Sequence, residues 1–182
     1  VQTCALPISL LNQIRELLIK RIDLILTTEE MCDEVMGLLQ LNKNFPEVEW
    51  LFSFTDLTKY DISILLNISI EHLEGAEEIS IDKMIKETYS DIQDRVRYTR
   101  KVKENQCPLF TNDLIVHSDE ELNFLNFVRL SNHSMEVLLG GYNETIAKQL
   151  KPKLCTVYKA ENIKKEKLFY NEEEQKQIDT IS

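Results

Sequence analysis

Apolar residues recur at steps of three and four along the first part of the chain, which is the spacing of an amphipathic helix. One such series predicts a helix over residues 9–26 and consists of Leu11, Ile14, Leu18, Ile22 and Ile25. Thr27 and Glu30 form a capping-box pattern that should open a second helix. A short apolar connector around Trp50 follows, and we expect it to pack against the helices. Residues 9–54 therefore predict a helical hairpin.

A second helical pattern begins at residues 55–56, a Thr-Asp pair that we expect to cap a helix over residues 57–73. Apolar side chains cover most of the circumference of this helix, which is typical of a helix at the centre of a domain. Gly75 should end it. We expect residues 78–80 to form a short strand or an extended link.

Two further helices should follow this link. Ser80 is expected to cap the first of them. Ser90 and Gln93 form a capping-box pattern for the second, which we predict over residues 91–106. Cys107 is followed by a proline, and this pair should end the helix because the residue before a proline avoids the helical conformation.

The spacing of apolar residues then changes to strand-like runs at residues 114–116 and 124–130, joined by a charged turn. Ser131 or Asn132 should cap a short closing helix. Three helices, a β-hairpin and a closing helix form the order of a winged helix-turn-helix unit, which we predict over residues 55–147. The fold class is therefore predicted to be mainly α.

The last part of the chain changes in composition. Residues 148–170 are rich in lysine and are predicted to form a basic linker. Asn171 should cap a further helix over residues 171–182, whose first turn carries three glutamates at the positive end of the helix dipole. Because this pattern stops without a helix-ending signal, we expect the natural protein to continue beyond it.

The first eight residues differ in origin from the rest of the chain in our interpretation. Back-translated in one frame, they match the end of a common sequencing-adapter oligonucleotide, and the chain does not begin with methionine. We therefore interpret residues 1–8 as a sequencing-adapter artefact and leave them out of the predicted domains.

Charge and composition narrow the classes of function. The chain has 31 acidic and 21 basic residues, and its net charge of −10 argues against a general binder of polyanions. It has only four glycines and no G-x-x-x-x-G-K-[ST] motif, so it carries no phosphate loop. No uncharged apolar run reaches the ~18 residues of a membrane-spanning helix. We expect a cytoplasmic protein that does not contact a membrane.

No group of residues in the sequence predicts catalysis or metal binding. Cys32, Cys107 and Cys155 lie far apart without a C-x-x-C pair, and we expect them to be reduced and buried. The three histidines are isolated from one another, and we expect them on the surface or half-buried. We therefore assign no catalytic residue and no metal ligand.

The helix predicted over residues 91–106 carries five basic residues: Arg95, Arg97, Arg100, Lys101 and Lys103. It occupies the place of the recognition helix in a winged-helix unit, where such side chains contact phosphates and base edges. Acidic residues share the helix, and the acidic hairpin tip at residues 119–121 would be repelled by DNA. We therefore favour a solvated face or a docking surface for another domain, and DNA binding stays open as the alternative.

Residues 167–182 read K-L-F-Y-N-E-E-E-Q-K-Q-I-D-T-I-S. This segment resembles the lead-in to the nucleotide-binding module of a group of bacterial AAA+ ATPases, in which a pattern like L-F-Y-N-x-x-E-x-x-Q-I begins the first helix. Residues 55–140 are similar in pattern to the winged-helix-like part that precedes the module in those proteins. The glycine-rich phosphate loop of that group would lie beyond this sequence.

The resemblance implies that the parent protein is an AAA+ ATPase that uses ATP and Mg²⁺, acts on a protein client and assembles as a homo-oligomeric ring. By position alone, Phe169, Tyr170 and Asn171 would lie near the nucleotide base; the fragment itself is expected to hold no cofactor. Its expected function is that of a non-catalytic N-terminal region that docks a substrate or partner for the motor. The alternative function is a winged-helix DNA-binding regulator that uses the helix over residues 91–106.

Overall fold

Helices and a small three-stranded antiparallel sheet make up the computed structural model, which describes residues 5–118 and 126–140. This architecture confirms the prediction of a mainly helical fold. The described residues belong to one compact unit, which lies within residues 1–151. The second unit, residues 152–182, lies outside the described residues, as do most of the predicted basic linker and the predicted helix over residues 171–182.

The elements follow one another in the order helices, strand, helices, two strands and a helix. They are α1 (Ile8–Ile22), α2 (Thr28–Leu41), α3 (Pro46–Phe52), α4 (Lys59–Leu73), β1 (Ile79–Ser80), α5 (Ile81–Thr88), α6 (Ile92–Lys103), α7 (Pro108–Thr111), β2 (Ile115–His117), β3 (Phe127–Leu130) and α8 (Asn132–Leu139). Among the described residues, no helix combines the length and the apolar content that crossing a membrane requires.

The predicted helical hairpin corresponds to α1 and α2. The capping box at the start of α2 is confirmed, because the Glu30 carboxylate accepts from the Thr27 N–H at 2.9 Å and the Thr27 hydroxyl accepts from the Glu30 N–H at 3.2 Å. The prediction that α1 reaches residue 26 is wrong. Leu24 has a left-handed backbone, with φ of 60°, and this conformation ends the helix at Ile22.

The apolar connector around Trp50 forms the short helix α3. Pro46 occupies its first turn, where the fixed backbone angle of proline suits a helix and its missing N–H costs nothing. Val48 and Leu51 are fully buried, so the connector packs against the core as expected.

Helix α4 is the centre of the described fold, because every residue from 61 to 70 is buried. It packs against α1, α2, α5, α8 and the sheet. The predicted cap at residues 55–56 is wrong. Thr58 caps the helix instead, in a capping box where the Asp61 carboxylate accepts from the Thr58 N–H at 2.9 Å.

The predicted Ser80 cap of α5 is confirmed, since its hydroxyl accepts from the Lys83 N–H at 3.3 Å. The Ser90 capping box predicted for the next helix is wrong. Asp91 caps α6, and its carboxylate accepts from the N–H groups of Gln93 at 2.7 Å and of Asp94 at 3.2 Å. Helix α6 ends at Lys103 rather than residue 106, and Asn105 follows with a left-handed backbone at φ of 55°.

The sheet has the strand order β1-β3-β2, with β3 antiparallel to both neighbours. Ile79 pairs with Val128, and Ile115 pairs with Leu130. The predicted strands at residues 114–116 and 124–130 thus correspond to β2 and β3, while residues 119–125 lie in the undescribed gap. Residues 78–80 were predicted to form either a short strand or an extended link. Ile79 and Ser80 form the strand β1, because they pair with the edge of β3.

The α1–α2 hairpin and the later elements share one buried core. A polar contact also joins them: Arg21 Nε donates to the Thr88 carbonyl at 3.0 Å, and Thr28 Oγ1 accepts from the Ser90 N–H at 2.8 Å. The Thr88 carbonyl and the Ser90 N–H both lie at the turn between α5 and α6. The hairpin therefore holds the turn that precedes α6.

Part of the segment that we leave out of the predicted domains packs into this core. Leu6 is 2% exposed, and its N–H donates to the Leu138 carbonyl at 2.9 Å. Ile8 is the first residue of α1. Residues 5–8 thus take part in the described fold, whatever their origin.

Candidate functional site

Helix α6 turns most of its surface to solvent. Among its twelve residues only Tyr98 and Val102 are buried. Two large apolar side chains stand on the exposed face: Ile92 is 70% exposed and Val96 is 57% exposed. The helix carries five basic residues and one acidic residue, a net charge of +4, in a chain whose net charge is −10. Helix α6 is therefore a basic and partly apolar face on an acidic protein.

A groove of about 590 Å³ runs between α5 and α6. Its apolar lining consists of Ile85 from α5 and Ile92 and Val96 from α6. Four basic side chains, two acidic ones and a threonine complete it: Lys86, Arg95, Arg100, Lys103, Asp82, Glu104 and Thr99. The groove thus joins an apolar strip to a polar lining with a net charge of +2.

Arg95, which the sequence places among the candidate contact residues, is held within the fold. Its Nε donates to the Tyr89 carbonyl at 2.7 Å, and its terminal Nη2 donates to the Ser90 carbonyl at 3.3 Å. These bonds satisfy two carbonyls where α5 ends and the chain turns toward α6. Arg95 therefore positions the turn and contributes its positive charge to the groove.

Arg97 and Lys101 lie on a different side of α6 from Arg100 and Lys103. They line a smaller cavity of about 240 Å³, together with Thr58, Asp94 and three tyrosines. Arg97 forms an exposed ion pair with Asp94 at 3.0 Å. The structure therefore divides the five predicted basic residues between two surfaces of one helix.

Three tyrosines pack behind this second cavity in a continuous row. The rings of Tyr60 and Tyr89 stack with centroids 5.5 Å apart, and those of Tyr89 and Tyr98 lie 5.6 Å apart. Burial raises the pKa of Tyr89 and of Tyr98 above the ordinary value, so both hydroxyls stay protonated. The Tyr98 hydroxyl donates to Asp61 Oδ1 at 2.7 Å and thereby fixes α6 to the start of α4.

Arg100, Lys101 and Lys103 make no ion pair with any residue in the described part of the chain. Each is exposed. Elsewhere on the fold, lysines do find acidic partners: Lys59 pairs with Glu29 and Asp33, and Lys83 pairs with Glu71 at 3.0 Å. These three of the five α6 cations are therefore not taken up by another described residue.

The histidines serve the fold or lie on its surface. His72 is 5% exposed, which corrects the expectation of a surface or half-buried side chain, and its Nε2 accepts from the Leu130 N–H at 3.0 Å. Burial lowers the pKa of His72 and keeps the imidazole neutral. His117 and His133 are exposed. Over residues 5–118 and 126–140, no group of three His, Cys, Asp or Glu side chains is arranged to hold a metal ion.

The predicted burial of the cysteines is confirmed for the two that the structure describes. Cys32 and Cys107 are both fully buried and free. Burial raises the pKa of Cys32 to about 11, and it also raises that of Cys107, so neither thiol is ionised at neutral pH. Cys155 lies outside the described residues, as do Phe169, Tyr170 and Asn171 and the acidic tip at residues 119–121.

Sequence reasoning missed the apolar half of the groove. Ile92 and Val96 have the four-residue spacing of a helix face, which sequence rules assign to the core. The sequence did contain a signal for this exposed face: Tyr98 and Val102 form a second apolar face of the same helix, and one short helix does not bury both apolar faces.

Comparisons of the chain with protein-family models, curated proteins and solved structures gave no match.

Proposed function

We propose that this chain is a non-catalytic docking region that binds a protein partner through the exposed face of α6. The order of elements supports a winged-helix-like unit from α4 onward: helix, strand, two helices, a further helical turn, two strands and a closing helix, with β3 at the centre of the three-stranded sheet. In such a unit α5 and α6 form the helix-turn-helix, and α6 is the helix presented to a partner.

The exposed apolar pair on α6 carries this proposal. Ile92 and Val96 remain in water although the fold buries the other face of the same helix. Large apolar side chains grouped in a groove and bordered by polar groups are the usual composition of a protein interface, with an apolar centre and a polar rim. Arg100 and Lys103, which form no ion pair with another described residue, supply that rim.

The charge distribution favours a protein over DNA as the partner. Asp91 and Asp94 occupy the cap and first turn of α6, the end that a recognition helix brings to the bases. Phosphates would be repelled there, and the net charge of −10 adds a long-range repulsion that only salt screens. An acidic protein partner can avoid the acidic start of α6 and contact only the basic residues in its last turn.

The proposal is tested by selecting peptides from a displayed library on the full chain and measuring their affinity after synthesis. We expect selected peptides to lose about fivefold in affinity for an Arg100→Ala/Lys103→Ala variant, since exposed charge pairs contribute ~0.2–1 kcal/mol each. A selection that yields no peptide sensitive to this variant would contradict the proposal. The matched control is Lys20→Ala/Lys43→Ala, which removes two exposed cations, one on α1 and one just after the end of α2.

DNA binding is the second candidate, and the position of α6 in the winged-helix order favours it. Titration of the full chain with duplex DNA at several salt concentrations separates the two functions. Dissociation constants below about 1 μM with a steep salt dependence would establish DNA binding, because affinity carried by phosphate contacts falls steeply with salt. We expect weak binding without that dependence.

We also propose that the docking region serves an AAA+ motor, and the resemblance of residues 167–182 supports this part. The test is to clone the complete gene and to assay ATP hydrolysis by the purified product with Mg²⁺. Mg²⁺-dependent hydrolysis that is lost when the phosphate-loop lysine is replaced would support the proposal. A complete gene without a G-x-x-x-x-G-K-[ST] motif would contradict it.

A further inference from the structure

We infer that the groove between α5 and α6 accepts an acidic amphipathic helix of about three turns from a protein partner. This inference rests on the proposed docking function and names the chemistry of the partner. It combines three features of the groove: the spacing of its α6 side chains, its charge, and its length.

The α6 side of the groove is a ridge with helical packing geometry. Ile92, Val96, Thr99 and Lys103 follow one another at steps of four, three and four residues, and all four line the groove. Steps of this kind form a straight row along a helix, and a second helix packs its own row beside such a ridge. Ile85 forms the opposite apolar wall from α5. Two helical walls favour a helical ligand over an extended one.

The charge of the groove selects an acidic ligand. Four cations line it against two carboxylates, and one of these, Asp82, already accepts from Asn126 Nδ2 at 3.0 Å. Arg100 and Lys103 lie one turn apart toward the end of α6, beyond the apolar pair. A partner helix with apolar residues on one face and glutamates or aspartates beside them would place apolar side chains against the apolar pair and carboxylates against the cations.

The length of the ligand follows from the length of α6. Twelve residues at ~1.5 Å each give a ridge of about 18 Å. A partner helix covering it needs about twelve residues, which is short enough to be a segment that folds on binding. The apolar anchors should recur at i, i+4 and i+7 to match the ridge.

The test uses a synthetic 14-residue peptide with leucines at i, i+4, i+7 and i+11 and glutamates on both flanks, labelled for fluorescence anisotropy with the full chain. A scrambled peptide of the same composition keeps the charge and loses the apolar row. We expect the designed peptide to bind about tenfold more tightly than the scrambled one. We also expect an Ile92→Ser/Val96→Ser variant to lose about tenfold, since removing buried apolar contacts weakens binding.

The matched control is Leu41→Ser, which removes an apolar side chain that is 81% exposed on α2, and it should bind the peptide as the wild type does. Equal affinity for the two peptides, or for the wild type and the Ile92→Ser/Val96→Ser variant, would overturn the inference. Duplex DNA that binds more tightly than the peptide, or self-association of the chain that this variant abolishes, would overturn it in favour of another occupant.

The failure of this inference is distinguishable from the failure of the proposed function. If library peptides require Arg100 and Lys103 but are neither helical nor acidic, the docking function stands and the acidic helix is excluded. If no library peptide requires these residues, the docking function itself fails. Circular dichroism of the selected peptides in the complex reports whether they become helical.

Discussion

The Tyr98 hydroxyl donates a hydrogen bond of 2.7 Å to Asp61 Oδ1, and so ties the middle of α6 to the first turn of α4. The second oxygen of the same carboxylate closes the capping box with Thr58. Asp61 is 2% exposed and Tyr98 is 4% exposed. One buried carboxylate thus begins the central helix and fixes the position of the helix that carries the candidate site.

Replacement of Tyr98 by Phe should destabilise the fold by about 1.5–3 kcal/mol, because a buried carboxylate oxygen then loses its donor. Urea unfolding of the two proteins measures this difference. Tyr60→Phe is the matched control, since the Tyr60 hydroxyl bonds to Glu29, whose side chain is 60% exposed. We expect a loss below about 1 kcal/mol there. Equal losses in the two variants would contradict the role assigned to Asp61.

The stability of the fold should fall as pH is lowered from about 7.5 to 5.5. Burial lowers the pKa of His72 in the folded state, so the unfolded chain binds the proton first, from about pH 6.5 downward. The stabilisation from neutral His72 is therefore full above that pH and is lost as pH falls toward the folded-state pKa. A protonated Nε2 also cannot accept the hydrogen bond that the Leu130 N–H donates to it.

A His72→Gln variant checks this assignment, because a glutamine carbonyl accepts from the Leu130 N–H without titrating. We expect lower stability than the wild type at pH 7.5 and a flatter dependence on pH, both measured by urea unfolding. His133→Gln, at an exposed position, should keep the slope of the wild type. A His72→Gln protein that retains the full slope would assign the pH dependence to other groups.

Replacement of Thr28 by Val should destabilise the fold by about 1–3 kcal/mol. The Thr28 hydroxyl accepts from the Ser90 N–H at 2.8 Å and donates to the Thr88 carbonyl at 3.0 Å, and valine keeps the shape without either bond. Thermal or urea unfolding measures the loss. Thr111→Val provides the control, because its hydroxyl makes only a local bond of 3.4 Å to Pro108. A loss no larger than in this control would show that the α5–α6 turn does not depend on the hairpin.

Local signals in the sequence predicted the elements whose ends are determined locally. The capping box of Thr27 and Glu30 and the cap at Ser80 involve groups three residues apart, so both are visible in the chain. Apolar side chains around most of the circumference of α4 likewise predicted its burial. These features need no knowledge of the tertiary structure.

One error traces to a long-range contact and another to a local hydrogen bond outside the helix patterns. Ser90 resembles a helix cap, but its N–H bonds to Thr28, which lies 62 residues away, and Asp91 takes the cap. Arg95 resembles a surface contact residue, but it bonds to carbonyls of the turn before its own helix. Tertiary packing brings Thr28 near Ser90, whereas the acceptors of Arg95 lie only five and six residues away, in a turn that the helix pattern does not describe.

The candidate site was predicted in its charge and missed in its shape. The five basic residues identified α6, yet only the structure shows that Arg97 and Lys101 line one cavity while Arg100 and Lys103 line another. That division depends on which face of α6 is buried, and the buried face is the one that carries Tyr98 and Val102. It also provides a pair of double variants with the same change in charge on two different surfaces of one helix.

That pair gives the most direct test of the docking function. Arg100→Glu/Lys103→Glu and Arg97→Glu/Lys101→Glu each change the net charge by four units, on the groove side and on the tyrosine side of α6 respectively. The measurement is the dissociation constant of a library-selected peptide for both variants and the wild type at physiological salt. We expect a loss of about tenfold for the groove-side variant and less than about twofold for the other, because contact rather than net charge governs binding. Equal losses for the two variants would contradict a docking site in the α5–α6 groove.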